Sequence, residues 1–176
     1  MMNSVKHCRA GVVMITFIFI MGCGYTNQAK LPNNIRTIAV PTFKNMIKQS
    51  ETYTYEAGLE VDITNDIINR LNYDGNLKVV DSDKADATLV GAITRYEQDS
   101  IRYEDRDDVK EYRLFISVNL ILQDNRSGEI IWEEKGFTGR TEYFRSGSYA
   151  SSERAAAASA REDLAKNIVD RIIEDW

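Results

Sequence analysis

From Tyr112 to Asp124 the chain alternates with a period of two, and no other stretch constrains the fold as much. Tyr112, Leu114, Ile116, Val118, Leu120 and Leu122 fall on one side. Arg113, Ser117, Asn119 and Gln123 fall on the other, with Phe115 and Ile121 as apolar exceptions. A strand this long with one apolar face must bury that face against something. Asn125-Arg126-Ser127-Gly128 reads as a turn, and Glu129 to Phe144, with Ile130, Trp132 and Phe137, reads as the return strand of a hairpin. Upstream, Ala87 to Tyr96 is a further strand, with Leu89, Gly91 and Ile93 opposite Val90 and Ala92. Glu97 to Glu111 is the most charged stretch, either a loop or the exposed tips of two long strands.

Two segments have helical spacing and can supply the cover. In Tyr55 to Asn72, Leu59, Ile63, Ile67 and Leu71 recur every four residues, and Asp74-Gly75-Asn76 stops the helix. Glu153 to Asp175 is Ala-rich early and amphipathic later through Leu164, Ile168, Val169, Ile172 and Ile173; Ser151 or Ser152 supplies the cap. Ile35 to Phe43 reads as a strand, with Pro41 marking an edge or exit, and Lys44 to Thr54 as a polar connection. Leu77 to Val80 is a short strand. Strand, helix, strand in this order predicts a right-handed βαβ crossover. The sum is an α+β fold, an α/β sandwich: a mixed sheet of four or five strands with two amphipathic helices packed on one face. The other sheet face would stay open, and several strand edges look unprotected.

The N-terminus carries a different signal. Lys6, His7 and Arg9 precede an apolar run from Ala10 to Met21, and Ile20-Met21-Gly22-Cys23 follows. That is a secretory signal with a small residue at its cleavage point. Its end resembles the lipobox of bacterial lipoproteins, which implies a diacylglycerol and an N-acyl chain such as palmitate on Cys23. The run from Ala10 to Met21 is too short for a membrane span, which needs about 20 residues. An ordinary secretory signal would leave Cys23 as an unpaired thiol in an oxidising compartment, which is unusual. Lipidation fits better. The expected organisation is a removed signal over 1–22, a lipidated tether over 23–34 and one domain over 35–176.

Loss of 22 of the 176 residues leaves 154, enough for one domain with a core. The net charge of −5 becomes −7 when Lys6 and Arg9 leave, and no basic run marks a nucleic-acid partner. The single histidine, His7, and the second cysteine, Cys8, both lie in the signal. The mature chain would therefore hold no His or thiolate metal site, no disulfide, no cysteine nucleophile and no Ser-His pair. Ser148 stands in no nucleophile elbow. Asp81-Ser82-Asp83 with Asp86 fails as a calcium loop, because positions 6 and 12 hold Asp86 and Ala92. The acids of 97–111 have no cage-like spacing. These features predict neither an enzyme nor a resident cofactor. Tyr and Arg are enriched at interfaces, and Arg suits phosphate. Arg95, Arg113, Phe115, Arg140 and Arg145 are therefore the candidate contacts to a partner or a phosphorylated glycolipid.

Gly22-Cys23-Gly24-Tyr25, Leu31-Pro32, the stretch Ile35 to Asn45, Ala85 to Ile93 and Tyr112 to Gln123 together resemble the lipopolysaccharide-assembly lipoproteins of the LptE type. The resemblance implies a small α/β sandwich anchored on the periplasmic face of the outer membrane. It implies a β-barrel translocon subunit as partner, which the lipoprotein plugs and helps assemble, and direct contact with lipopolysaccharide. Gly24 after the cysteine agrees with outer-membrane sorting. The opening strand is also similar to that of penicillin-binding-protein activators and curli-secretion lipoproteins, which would instead activate a cell-wall synthase or form a secretion assembly.

Overall fold

The computed structural model describes residues 34–47, 57–103 and 109–174. The signal, Cys23, Tyr53 and Tyr55, and the acids Glu104, Asp105, Asp107 and Asp108 lie outside the described residues. In chain order the elements are β1 (Thr37–Ala39), β2 (Lys44–Asn45), α1 (Leu59–Asp74), β3 (Lys78–Val79), β4 (Ala87–Tyr103), β5 (Val109–Asp124), β6 (Ile130–Phe144) and α2 (Glu153–Glu174). One mixed sheet runs β3-β1-β4-β5-β6, with β2 also on β4. β1 is parallel to both β3 and β4, and β4, β5 and β6 form an antiparallel meander. The strand–helix–strand unit expected at the N-terminus is β1-α1-β3.

Both helices lie on the face that the alternation of β5 predicted to be buried. Leu114, Ile116, Val118, Leu120 and Leu122 are fully buried there, with Leu89 and Ile93 from β4 and Trp132 from β6. Leu59, Ile63, Ile67 and Leu71 of α1 and Leu164, Ile168, Val169 and Ile172 of α2 close the same core. Burying each such side chain contributes about 1.5–3 kcal/mol. The alanines of α2 have a specific role. Ala156, Ala157 and Ala160 are buried, and Gly139 of β6 lies directly beneath the helix. A Cβ at Gly139 would stand 2.5 Å from the Ala160 carbonyl and 2.6 Å from the Leu164 nitrogen. Helix backbone therefore rests on strand backbone. Arg161 joins the helices through Asp66 at 2.9 Å and Asp62 at 3.7 Å.

The structure departs from the sequence reading at several points, each with a physical cause. The strand expected over Ile35 to Phe43 is confined to β1, and a second short strand, β2, falls in the expected polar connection. Between them Phe43 leaves the sheet: its ring takes the place of a side chain at Gly91, where a Cβ would sit 2.1 Å from ring carbon Cε2. The Phe43 amide donates to Thr64 Oγ1 at 3.0 Å, and that hydroxyl donates to the Glu60 carbonyl at 2.6 Å. The first helix opens at Leu59, after Gly58 at φ 94. Of the two readings of the charged stretch, its described parts fit the second: residues 97–103 continue β4 to Tyr103 and residues 109–111 open β5. In β6, Ile130 is 56% exposed although Trp132 is buried, because the register shifts between Leu122 and Gln123. Gly136, at φ 68, sits in a second shift, and its amide donates to Asn119 Oδ1 at 3.0 Å. That shift returns Phe137 to the core side. Ser152 is the cap of α2, its Oγ accepting from the Ala155 amide at 3.2 Å.

Replacement of Gly139 tests the backbone contact. Gly139→Ala is expected to lower unfolding stability by about 1–3 kcal/mol, as overpacking does. Gly136→Ala, with nothing within 4 Å of its Cβ, carries only the backbone penalty of its positive φ. Denaturant titration of both variants, each checked for an unchanged m-value, measures the difference.

Candidate functional site

The helices leave the second face of β4, β5 and β6 uncovered. Register places its side chains in rows. Arg95, Ser117 and Thr138 form one row, Glu97, Phe115 and Arg140 the next, and Asp99, Arg113 and Glu142 the third. Val90 opposite Ile121 adds an apolar patch toward the other end. Four of the five candidate contacts, Arg95, Arg113, Phe115 and Arg140, thus come together on one surface.

The middle of this face is organised by hydroxyls. Arg95 Nε donates to Ser117 Oγ at 3.3 Å, Ser117 Oγ meets Thr138 Oγ1 at 2.8 Å, and Thr138 Oγ1 donates to the Gly136 carbonyl at 2.8 Å. One proton direction satisfies all three contacts: Arg95 to Ser117, Ser117 to Thr138, Thr138 to Gly136. Ser117 is only 3% exposed although it lies on the uncovered face. A register shift between Ile93 and Arg95 aims the arginine across the strand, and Thr94 Oγ1 donates to the Ser117 carbonyl at 3.2 Å. Bulges commonly redirect a side chain in this way. The Arg95 guanidinium also lies 6.0 Å from the Phe115 ring centre and 3.5 Å from Glu97 Oε2.

Arg113 is held differently. Its Nε donates to Glu142 Oε1 at 2.9 Å, and its Nη2 reaches the same oxygen. Arg140 faces the open surface opposite Phe115, while its backbone amide points off the sheet edge and donates to Asp163 Oδ2 at 3.0 Å. That bond covers part of the edge that the sequence left unprotected. Arg145 is not with the others. Its guanidinium lies 5.5 Å over Tyr112, which stacks on Tyr143 at 5.7 Å on the helix-covered side. There burial pushes the Tyr143 phenol above its ordinary value, and the Glu153 carboxylate adds to the rise.

Asp86, considered above with a calcium loop, is a clamp. Its Oδ2 accepts from the Arg36 amide at 3.0 Å, the Thr37 amide at 3.0 Å and the Thr37 hydroxyl at 2.9 Å. Its own amide donates back to Thr37 Oγ1 at 2.8 Å. The Arg36 amide holds the Asp86 carboxyl below the ordinary carboxylate range; burial opposes this, and the Thr37 bonds reinforce it. Among the described residues no group of His, Cys, Asp or Glu is placed to hold a metal ion. No described helix is long and apolar enough to cross a membrane. The groove between α1 and α2, lined by Asp66, Arg70 and Arg161, is crossed by ion pairs, including Arg70 to Asp170 at 3.7 Å.

A mixed sheet with two helices on one face and an antiparallel meander defines a small α+β domain, and comparison gives the family. The chain belongs to the LptE lipopolysaccharide-assembly family, whose model matches residues 35–174. A search of curated proteins finds no match. Among solved structures, the hypothetical protein CT253 from Chlamydia trachomatis is similar at a TM-score of 0.53 and 13% identity, over 78% of this chain and 95% of that one. A PelC dodecamer variant from Paraburkholderia phytofirmans gives 0.50 at 20% identity, over 78% and 89%. Protein XCC0632 from Xanthomonas campestris gives 0.50 at 12% identity, over 84% and 85%. At these identities the likeness establishes the shared fold.

Ser117 was legible only as a polar residue of an outward face, and nothing in the sequence singled out Thr138. Their joining needs the two register shifts, for which Gly136 is the one sequence signal. The Asp86 clamp gives a direct prediction. Asp86→Ala, which leaves two amides and a hydroxyl without their acceptor, is expected to cost about 1–3 kcal/mol. A carboxyl held below its unfolded value of about 3.9 adds stability above that pH and loses it as pH falls through the folded value. The stability advantage of wild type over Asp86→Asn should therefore shrink below about pH 4, as measured by denaturant midpoints against pH.

Proposed function

We propose that this lipopolysaccharide-assembly protein is a lipid-anchored plug and assembly partner of a β-barrel translocon subunit. On this reading it helps insert lipopolysaccharide into the outer leaflet. The signal over 1–22 is removed, Cys23 receives a diacylglycerol and an N-acyl chain, and residues 23–34 tether the domain over 35–176 to the periplasmic face of the outer membrane. Acyl chains contribute about 0.8 kcal/mol per buried methylene, so two or more anchor the protein without any apolar helix. The role is binding, with no catalytic step.

The observation that carries this reading is the uncovered face of β4, β5 and β6. It carries Phe115 and Arg140 in one row and Arg95 in the next, with the Arg95 guanidinium 6.0 Å from the Phe115 ring and the acids Glu97, Asp99 and Glu142 among them. A phosphorylated glycolipid offers anionic groups to the two guanidinium groups and acyl chains to Phe115, Ile121 and Val90. Arginine suits the phosphates through its planar fork. Screening confines the effect of the distant acids to about 8 Å at physiological salt, and the acids on the face itself, Glu97 and Glu142, are paired with Arg95 and Arg113.

A tagged chain purified from detergent-solubilised outer membranes, beside Cys23→Ala, tests the proposal. The expected result is recovery of a heat-modifiable β-barrel together with lipopolysaccharide, and loss of membrane retention in Cys23→Ala. Recovery of a cell-wall synthase, or of a ring made of this chain alone, would replace the translocon role.

A further inference from the structure

We infer that Ser117 and Thr138 are positioning residues for anion recognition, acting through Arg95. This rests on the reading of the open face as the glycolipid contact and adds to it the device that sets the arginine. An exposed arginine on a strand ordinarily samples many rotamers, and holding it costs entropy at binding. Here the cost is met before any ligand arrives. Ser117 Oγ fixes the Nε end of the guanidinium at 3.3 Å. Ser117 is itself fixed by Thr138 at 2.8 Å, and Thr138 by the carbonyl of the bulge glycine Gly136 at 2.8 Å. The relay crosses three strands and ends on backbone, so it cannot drift with the side chains.

The orientation has a chemical consequence. A guanidinium has five N–H donors. The relay takes the one on Nε, and Glu97 stands 3.5 Å from Nη1. The remaining Nη donors are those an incoming phosphate oxygen can use, beside the Phe115 ring at 6.0 Å and in the row next to Arg140. Glu97 is then a resident carboxylate that a doubly charged phosphate displaces more readily than a singly charged carboxylate does. The ligand class this arrangement favours is a phosphomonoester on an amphiphile.

The full lipidated chain in detergent, titrated with diphosphoryl lipid A and separately with phosphatidylglycerol, provides the test. Arg95→Ala should weaken binding of the diphosphoryl probe about tenfold or more. Ser117→Ala and Thr138→Val should each weaken it about three- to tenfold, and Thr138→Ser should restore it. In an Arg95→Ala background, Ser117→Ala should have no further effect, which a merely structural role would not produce. Phosphatidylglycerol, a phosphodiester, should bind more weakly and respond less to Ser117→Ala. If Arg95→Ala loses binding while Ser117→Ala and Thr138→Val retain it, the relay is overturned and the glycolipid face stands. If the Ser117 loss persists undiminished without Arg95, the relay is likewise overturned. If Arg95→Ala binds as wild type, both the relay and the glycolipid face fall.

Discussion

The contact of α2 with β6 at Gly139 determines most of what this molecule presents to its surroundings. Helix backbone meets strand backbone there, and alanines on one side with a glycine on the other make the approach possible. With α2 seated, the apolar row of β5 is covered along its length and α1 packs beside it, tied by Arg161. Two helices are enough to cover one face of the five-strand-wide sheet. Among the described residues no second layer lies on the other face, although it belongs to the same strands.

That uncovered face is stabilised from within. A half-buried polar surface is costly unless its groups find partners. Cross-strand neighbours supply them: Arg113 with Glu142, Arg95 with Ser117 and Glu97, Ser117 with Thr138. The same contacts that let the face exist without a cover also set the arginines in place. Order and availability for binding therefore have one cause. The start of the sheet is secured separately, by the Asp86 carboxylate gathering the backbone of Arg36 and Thr37 at the opening of β1.

Much of this was legible in the sequence because it rests on periodicity. The alternation of β5, the four-residue spacing of α1 and the small-residue start of α2 each name a buried face, and all three meet in one core. Phe115 and Ile121 were legible as exceptions for the same reason. Periodicity fails where the chain inserts a residue. The shifts at Arg95, Gly136 and Ile130 change which face later residues take, and no local pattern marks them except the glycine. The early end of the first strand was equally hidden, because Phe43 is apolar whether it continues a strand or folds over Gly91. Arg145 was grouped with the other arginines by composition, and the turn of the chain after Phe144 carries it to Tyr112 on the covered side.

The central claim is that partners meet the face opposite the helices. Site-specific photocrosslinking in living cells tests it most directly, with the photoreactive residue at Phe115 on the open face or at the exposed Tyr73 on α1. The account predicts adducts to a large outer-membrane protein or to lipopolysaccharide from position 115 and none from position 73. Adducts from position 73, with position 115 silent, would contradict it.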